Sequence, residues 1–302
     1  MQPLIDGDIL LHEIGWSGEF KDKETGEAVL LPFERVAEIL DDKIRLICED
    51  VDATLPPIIF ISDSEQVCKM HNRCRKLEGL EPIEFIPNFR YDVAKTKPYK
   101  GNRKNPKPFH FYNIIAYLMY KYDVVVSEDG YEADDMMCIE QKVRLGETII
   151  CTRDKDLRIC PGWHFSWECG KQKAIGPVYT DRLGNLVAEV NEQGKVIKRY
   201  GYGMKFFYYQ MLAGDSADNI PGLPKYGEVK AFNLLDPIDN EWEIYKAVQA
   251  AYIEIIGDNA KEYFMEQANL LWMTQEKGKG YETPKTKCSP VRHYADSPCT
   301  SG

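Results

Sequence analysis

Acidic side chains follow the short apolar runs of this sequence. Asp6 comes after the first run, Asp63 after the second and Asp154 after the fourth. Carboxylates that converge cannot all stay ionised unless cations neutralise them, because each charge raises the pKa of its neighbours. Hard divalent ions such as Mg²⁺ take oxygen ligands, and a pair of them suits phosphodiester cleavage. The pattern predicts a divalent-metal site among these strand-end acids, which are Asp6, Asp8, Asp63, Glu132, Asp134, Asp135, Asp154 and Asp156.

Other chemistries explain these acids less well. A single acid after a strand is usually a loop residue or a helix cap, so the prediction depends on the whole set. The chain has only five histidines, and none is paired with these acids in the sequence. This scarcity argues against a zinc site and against a Ser-His-Asp hydrolase.

The spacing of the acids predicts unequal access to one site. Asp154 and Asp156 share a face if the chain is still extended there. Glu132 and Asp135 share one face of a predicted helix, whereas Asp134 is rotated by about 200° from Glu132. Asp134 therefore reaches the site only if the first turn is irregular, and Glu132 alone could be explained as a partner of the helix dipole.

A second acidic pair precedes a turn rich in Gly and Pro. Asp215 and Asp218 are three residues apart, a spacing that puts both on one helical face. The residues that follow, up to Gly227, indicate a tight turn into a helix at 228–235. We expect a pair of helices at about 206–235 whose turn amides could hold a phosphate.

Between residues 95 and 107 the chain is basic and has no acid. Prolines and Tyr99 are interleaved with the charges, so this stretch cannot pack as core. A solvated linker and a phosphate-binding segment are both compatible with the composition. The basic residues are Lys95, Lys97, Lys100, Arg103, Lys104 and Lys107.

The elements that must position these residues follow an α/β pattern, with a central, mostly parallel sheet flanked by helices. We predict strands at 3–5, 57–61, 122–126 and 148–151. We predict helices at 32–51, 109–120, 133–145, 242–256 and 260–274. A β-hairpin is expected within 176–199, and the tail from residue 278 is expected to be loose.

Composition excludes several classes of protein. The 302 residues carry a net charge of −10, which argues against a generic nucleic-acid coat. No apolar run approaches the roughly 20 residues of a membrane helix, and the start MQPLIDGD lacks a secretory leader. The nine cysteines never form a Cys-x-x-Cys pair. These features predict a cytoplasmic protein with reduced thiols and no membrane association.

Taken in order, six motifs resemble those of the 5′ nuclease family. This family comprises flap endonucleases, the 5′ nuclease domain of bacterial DNA polymerase I and free-standing phage 5′ to 3′ exonucleases. The chain length and the lack of a polymerase domain look most like the phage enzymes, which act in the host cytoplasm. The motifs are Ile5-Asp6-Gly7, Ser62-Asp63, Tyr99 to Arg103, Glu132 to Asp135, Thr152 to Asp156 and Gly214 to Gly222.

The resemblance implies a nuclease core at 1–160 with an arch or clamp at about 64–110. It also implies a C-terminal part at 161–277 with a helix-three-turn-helix for duplex DNA, followed by a flexible tail at 278–302. The expected activity is hydrolysis of phosphodiester bonds from 5′ ends or at 5′ flaps of DNA, extending to RNA primers in RNA–DNA hybrids. The expected cofactor is Mg²⁺, two or three ions per site, with Mn²⁺ as a substitute.

Site roles carry over from the same resemblance. Asp6, Asp63 and the acids of 132–135 match the family's first metal group, whereas Asp154, Asp156 and the pair at 215 and 218 match the second. Lys100 and Arg103 match the clamp base that contacts the scissile phosphate, where a fixed cation stabilises developing charge. The implied DNA contacts are Tyr99, Lys95, Lys97, Lys104, Lys107, Gly222, Lys225, Gly227 and Lys230.

The sequence departs from the family pattern at several places. Lys225 replaces a turn glycine and would cost about 1–2 kcal/mol if that position needs a positive φ, which disfavours a bound K⁺. Asp8 stands where the family often has a neutral residue, so it is either an additional outer acid or a helix cap. The segment 65–89 and the hairpin at 176–199 look inserted, and either could alter which DNA ends are admitted.

Three alternatives remain at this stage. A haloacid-dehalogenase-type phosphatase would explain Asp6-Gly7-Asp8 but leaves the acids at 132–135 and the clamp base unexplained. A non-catalytic structure-specific DNA-binding module would tolerate broken metal ligands, yet every expected acid is present. A PIN-like ribonuclease is chemically close but does not need the helix pair at about 206–235.

Overall fold

The chain folds around one six-stranded sheet. A computed structural model describes residues 1–22, 24–103 and 106–284. The sheet order is β5-β4-β1-β6-β7-β8, and every pairing is parallel except that of β7 with β8. The predicted α/β class with a mostly parallel sheet is therefore confirmed. The strands are β1 (Gln2–Asp6), β2 (Glu19–Lys21), β3 (Ala28–Leu30), β4 (Ile58–Ile61), β5 (Asp123–Val126), β6 (Thr148–Cys151), β7 (Gly162–Ser166), β8 (Ile175–Thr180), β9 (Leu186–Val190) and β10 (Val196–Gly201).

Helices cover both faces of this sheet. Two short 3₁₀ helices, Asp156–Ile159 and Gly257–Asn259, supplement them. None of the helices in the described part of the chain is long and apolar enough to cross a membrane. The α-helices are α1 (Gly7–Ser17), α2 (Phe33–Asp50), α3 (Glu65–Leu77), α4 (Arg90–Val93), α5 (Phe111–Lys121), α6 (Ala133–Val143), α7 (Gly203–Ala213), α8 (Glu228–Leu235), α9 (Glu241–Ile256) and α10 (Ala260–Leu271).

The two apolar layers follow from the alternation of side chains along each strand. Ile5 and Ile59 point into the layer formed with α1, α2 and α5. Leu4 and Phe60 point into the opposite layer, formed with α6, α7, α9 and α10. Because both faces are covered, the central strands are nearly continuous apolar runs. This is why β1, β4, β5 and β6 could be predicted to within about one residue.

The region after β6 differs from the prediction. The expected hairpin is formed by β9 and β10, but β8 joins the central sheet beside β7. β7 was not predicted. Its sequence Gly-Trp-His-Phe-Ser is no simple apolar run, and its position is set by pairing with β6, where Ile149 is opposite Trp163. Residue identity alone did not reveal this long-range pairing.

The predicted boundary at residue 160 is not a gap between cores. Leu4 and Ile150 share one apolar cluster with Phe207 and Leu270. The first part of the predicted loose tail is packed against the core, since Tyr281 is buried and its hydroxyl lies 2.8 Å from that of Tyr208. The rest of the predicted tail, from residue 285, lies outside the described residues.

The turn between α7 and α8 contains the lysine that departs from the family pattern. Lys225 is exposed and has a φ of 63°, in the left-handed region that glycine adopts freely. We expect Lys225→Gly to raise the free energy of unfolding by about 1 kcal/mol, because the strain of a side chain at this φ is removed. Urea unfolding without DNA measures this effect. In contrast, Lys246→Gly within α9 should lower the free energy of unfolding by about 1 kcal/mol, because glycine is unfavourable inside a helix. If both variants lost the same stability, the strain argument would be contradicted.

Candidate active site at the carboxyl ends of the strands

Six carboxylates line one cavity of about 490 Å³ at the carboxyl ends of the parallel strands. This edge is where an open parallel sheet offers ligands access to several loops at once. Three cations, Lys100, Arg103 and Lys107, line the same cavity. The carboxylates are Asp6, Asp8, Asp63, Glu132, Asp134 and Asp154.

Asp6 is the central acid of this cavity. It ends β1 and caps α1, because its Oδ1 accepts the Ile9 N–H at 3.1 Å. Its Oδ2 accepts the Thr152 hydroxyl at 2.6 Å, which ties β1 to the end of β6. Burial, followed by repulsion from Asp8, raises the pKa of Asp6 to about 7. A nearby cation would therefore be needed to keep Asp6 fully charged at neutral pH.

Asp8 lies in the first turn of α1 and is not its cap. Its Oδ1 accepts the Ser62 N–H at 3.1 Å, so it joins the ends of β1 and β4. Asp63 follows on the same loop and accepts the Ser64 N–H at 2.8 Å. Burial raises the pKa of both Asp8 and Asp63. Of the two explanations considered for Asp8, only that of an additional acid at the cavity remains.

The acids at the start of α6 are arranged differently from an ideal helix. Glu132 is the cap, with extended backbone, and Asp135 accepts its N–H at 3.1 Å in a capping box. Because Glu132 precedes the helix, the expected 200° rotation does not apply, and both Glu132 and Asp134 line the cavity. Burial, together with Asp6 and Asp154, raises the pKa of Asp134.

Asp135 is directed away from the cavity, into a buried ion pair that the sequence did not predict. The guanidinium of Arg90 donates to both Asp135 oxygens, at 2.7 and 2.8 Å, and both side chains are 0% exposed. Arg90 also donates to the carbonyls of Leu270 and Trp272, at 3.2 and 2.6 Å. The Thr274 N–H completes the group by donating to Asp135 at 2.8 Å. The sequence offered one sign of this ion pair, which is that Arg90 stands between the aromatic residues Phe89 and Tyr91.

Glu132 is held charged by its cationic neighbours. Its Oε2 accepts the Tyr99 hydroxyl at 2.8 Å and lies 3.5 Å from Arg90, while its Oε1 accepts from Lys100. Burial opposes ionisation, but Lys100 and Arg90 outweigh it and lower the pKa of Glu132 to about 2. Glu132 therefore stays a carboxylate, and in return it raises the pKa of Lys100 against the effect of burial.

The second acidic group lies beside the cavity and contains a lysine. Asp154 accepts the Asp156 N–H at 2.9 Å, so these two acids meet at the end of β6. Lys155 reaches across to Asp156, at 3.0 Å, and to Asp215. Gln210 donates to Asp156 at 2.5 Å. Burial and Asp154 raise the pKa of Asp156, whereas Lys155 lowers that of Asp215 against the effect of burial.

Asp215 and Asp218 are not on a helix, contrary to the prediction. α7 ends at Ala213 and is capped by Gly214, whose φ is 81°, and the chain then forms a tight turn closed by pairing of Asp215 with Ile220. Asp218 accepts the Tyr99 hydroxyl at 3.1 Å and an N–H of Arg103. Asp215 and Asp218 therefore reach the second acidic group from this turn, and not from one face of a helix.

The clamp base is hydrogen bonded to this turn. The Lys100 N–H donates to the Asp218 carbonyl at 3.0 Å, and Asn102 donates to the Ser216 carbonyl at 2.7 Å. Asn219 donates back to the Pro98 carbonyl at 2.9 Å. Segments more than a hundred residues apart are thus fixed against each other beside the cavity.

The remaining predicted DNA contacts are spread over the surface. Lys107 lines the cavity, with its Nζ 4.3 Å from the ring centre of Phe111. Lys97 is exposed, and Lys95 lines a separate groove. Lys230 stacks on Tyr226 at 3.8 Å. The two glycines shape the helix pair, since Gly222 donates to Gln267 at 3.0 Å and Gly227 caps α8; Lys104 lies outside the described residues.

The expected helical arch is not seen as a pair of helices. In the described parts of 64–110, α3 precedes the clamp base and α4 is only four residues long. From 94 to 103 and from 106 to 110 the chain is not helical. The described parts of the basic stretch are therefore loop, and Lys100, Arg103 and Lys107 from these parts line the cavity.

The donor set fits a hard divalent cation. The cavity offers carboxylate oxygens from four chain segments, and burial or mutual repulsion raises the pKa of Asp6, Asp134 and Asp154. Binding of Mg²⁺ or Mn²⁺ would offset the cost of charging such a set of buried carboxylates. Within the described residues, no three Asp, Glu, His or Cys side chains are already closed into a metal site. The acids therefore line a common cavity, but their oxygens do not converge on a single position.

Comparison with known proteins found similar sequences over about half of the chain. No protein-family model matches the chain. It is 28% identical over 161 residues to DNA polymerase I of Caldicellulosiruptor bescii, covering 51% of this chain and 18% of that protein. It is 30% identical over 175 residues to a 5′-3′ exonuclease of Buchnera aphidicola subsp. Schizaphis graminum, covering 54% of this chain and 53% of that protein. The matched part is thus at most about half the length of these relatives.

Two solved structures align with most of the chain at low sequence identity. The bacteriophage T5 D15 protein, co-crystallised with metal ions, aligns with a TM-score of 0.48 at 14% identity, covering 88% of this chain and 87% of that one. The catalytic core of Rad2 in complex with DNA aligns with a TM-score of 0.42 at 11% identity, covering 86% and 68%. In sequence, the chain is similar to proteins named 5′-3′ exonuclease and DNA polymerase I, and these relatives support its resemblance to the 5′ nuclease family.

Proposed function

We propose that this protein is a divalent-metal-dependent 5′ nuclease that hydrolyses phosphodiester bonds of DNA from 5′ ends or at 5′ flaps. One observation carries the proposal: carboxylates from four chain segments share a cavity with Lys100 and Arg103. Acids alone would indicate a metal site of unspecified use. Acids facing two fixed cations suit a phosphodiester, whose phosphate needs both metal and cationic contacts.

The residues that would hold metal are those that line or adjoin the cavity. The proposed first group is Asp6, Asp63, Glu132 and Asp134, and the second is Asp154, Asp156, Asp215 and Asp218. Asp135 is proposed as a positioning residue, because its two oxygens are already bonded to Arg90. When bound, Mg²⁺ or Mn²⁺ supplies charge neutralisation and activation of water.

The two cations of the clamp base have the clearest roles among the chain's own residues. In the structure Lys100 is bonded to Glu132, and Arg103 to Asp218. If Glu132 and Asp218 were engaged in holding a divalent ion, Lys100 and Arg103 would be free to contact a substrate phosphate. Lys100 then faces the charge that develops on the scissile phosphate, and the planar fork of Arg103 holds the same group.

A cleavage assay on a labelled flap tests the proposed function. The substrate is a DNA duplex with a short 5′-labelled single-stranded flap, incubated with Mg²⁺ and then with EDTA. Mononucleotide or flap-length products that need Mg²⁺ are expected, and their size separates exonuclease from flap cleavage. An RNA–DNA hybrid with a 5′ RNA end in the same assay tests the proposed extension to primers. No cleavage, together with turnover of a phosphomonoester, would favour the phosphatase instead.

Replacing Lys100 tests the role of the clamp base. We expect Lys100→Ala to lower the single-turnover cleavage rate by about 10²-fold or more while DNA affinity in Ca²⁺ changes several-fold at most. The reason is that a cation facing developing charge acts mainly in the transition state. Lys171→Ala, which changes an exposed lysine that does not line the cavity, is the control and should leave the rate unchanged. Equal losses of rate and affinity would reduce Lys100 to a phosphate anchor.

The biological setting is also part of the proposal. We infer a phage-type role in DNA replication or degradation, acting in the host cytoplasm. The support is the resemblance of the motifs to free-standing phage exonucleases.

A further inference from the structure

One face of helix α10 hydrogen bonds to two segments that flank the active-site cavity. Three polar residues share this face at the spacing i, i+3 and i+4: Tyr263, Glu266 and Gln267. The Tyr263 hydroxyl donates to the Gly222 carbonyl at 2.7 Å, and Gln267 accepts the Gly222 N–H at 3.0 Å. These two bonds hold the chain just after the turn that contains Asp215 and Asp218.

The third residue of this face, Glu266, holds the segment that leads to the clamp base. We call this segment, residues 94–98, the approach loop. The Oε1 of Glu266 accepts the N–H groups of Lys95 and Thr96, at 2.8 and 2.6 Å, and its Oε2 accepts the Thr96 hydroxyl at 2.7 Å. Glu266 is buried, whereas Lys95 and Thr96 are exposed. A carboxylate on a core helix therefore anchors a surface loop by three charge-assisted hydrogen bonds.

Lys100, which follows the approach loop, has a backbone conformation that needs support from its surroundings. Its φ is 53°, in the left-handed region, and a residue other than glycine keeps this conformation only where neighbouring contacts fix it. The Lys100 N–H donates to the Asp218 carbonyl at 3.0 Å, and Asn219 donates to the Pro98 carbonyl at 2.9 Å. In the described part of the chain, the next hydrogen bonds from the approach loop to another element are those with Glu266. The direction of the Lys100 side chain thus depends on anchors on both sides of the loop.

Glu266 is not placed to contact a phosphate in the active-site cavity. It lines a separate groove of about 550 Å³ together with Lys95 and Asp92. None of the described residues lines both this groove and the active-site cavity. Any effect of Glu266 on cleavage must therefore pass through the segments that it holds.

We propose that Glu266 is a positioning residue that fixes the approach loop and thereby directs Lys100 into the carboxylate cavity. Because Tyr263 and Gln267 hold the neighbouring turn from the same face of α10, this helix sets the distance between the clamp base and the second acidic group. The proposal rests on the proposed nuclease function, in which Lys100 stabilises charge on the scissile phosphate.

A double-mutant cycle with Lys100 tests the proposal. Glu266→Leu removes all three hydrogen bonds, and the freed N–H groups of Lys95 and Thr96 can bond to water because both residues are exposed. We expect Glu266→Leu to lower the single-turnover cleavage rate in Mg²⁺ by about 30-fold, while DNA affinity in Ca²⁺ stays within about threefold. In the Lys100→Ala background, the same substitution should lower the rate by no more than about twofold, because it acts through Lys100.

Two further variants separate this role from a loss of fold. Glu266→Gln keeps an acceptor for the N–H groups and offers a donor to the Thr96 hydroxyl, so it should retain the rate within about threefold. Glu262→Leu removes an exposed carboxylate from the same helix and groove and should leave the rate unchanged. If Glu266→Leu cleaved like the parent, or if its loss multiplied in full with that of Lys100→Ala, the proposal would be overturned.

Amide hydrogen exchange gives a second test that does not need cleavage. The bond from the Lys100 N–H to Asp218 should open more often once the approach loop is released, so we expect exchange at Lys100 to be at least about tenfold faster in Glu266→Leu. Thr96→Val removes only one of the three bonds, should show a smaller increase, and serves the same test if Glu266→Leu does not fold. Unchanged exchange at Lys100 would overturn the proposal. If the parent cuts no DNA in Mg²⁺ but the difference in exchange is present, the proposed nuclease function fails, whereas the link from Glu266 to Lys100 stands.

Discussion

Replacing Asp154 with Asn is expected to reduce DNA cleavage by at least about 10³-fold, because the amide keeps the shape of the side chain but loses the charge that attracts a divalent cation. Asp154 joins both acidic groups: it lines the cavity with Asp6 and Asp134, and it accepts the Asp156 N–H. One substitution therefore weakens both proposed metal groups. Single-turnover cleavage of the flap substrate in Mg²⁺ measures the effect.

Two controls separate loss of metal from loss of fold in this variant. Burial raises the pKa of Asp154, so the folded protein already disfavours its charge. Without metal, Asp154→Asn should therefore melt no lower than the parent and should retain DNA binding in Ca²⁺. Asp258→Asn, an exposed acid elsewhere, should cleave normally. Near-normal turnover by Asp154→Asn would refute the metal assignment.

Replacing Arg90 with Met is expected to lower the free energy of unfolding by about 3–5 kcal/mol, because Asp135 is left as a buried charge without its partner. Both side chains are 0% exposed, and Arg90 also satisfies the carbonyls of Leu270 and Trp272. Urea unfolding at neutral pH measures the loss. We expect a further loss of cleavage in any folded fraction, since Asp135 fixes the backbone of Glu132.

A double variant distinguishes an unpaired charge from a packing defect. Arg90→Met combined with Asp135→Leu removes both charges and should recover a large part of the lost stability. Arg35→Met, which breaks the exposed pair of Arg35 with Glu38, should change stability little. If the double variant were no more stable than Arg90→Met, burial of an unpaired carboxylate would not be the cause.

The parts of the fold that were predicted correctly are those specified by local pattern. The strands that precede the acids are apolar runs, and their order along the chain placed Asp6, Asp63 and Asp154 at one edge. The local pattern did not specify which residue begins α6, and hence which acids point to the same side. An ideal helix assigns Asp135 to the side of Glu132, but the cap residue is extended, and Asp134 takes that place.

Long-range contacts account for the remaining differences. Arg90 acquires its role from residues 45 and about 180 positions away, so no spacing rule could identify it. Likewise, Asp218 reaches Tyr99 from a turn and not from a helix. The identity of these acids was predictable from their order in the chain, whereas their partners depend on the folded arrangement.

The hydrogen bonds between the clamp base and the 215–219 turn also bear on when the site can form during synthesis. Lys100, Asn102 and Asn219 make contacts that span more than a hundred residues. Such contacts form late, because a long loop must close before they contribute. A nascent chain that has emerged only as far as β10 has its strand-end acids but not this turn. On the proposed function, an unfinished polypeptide would carry no complete cutting centre while it is still on the ribosome.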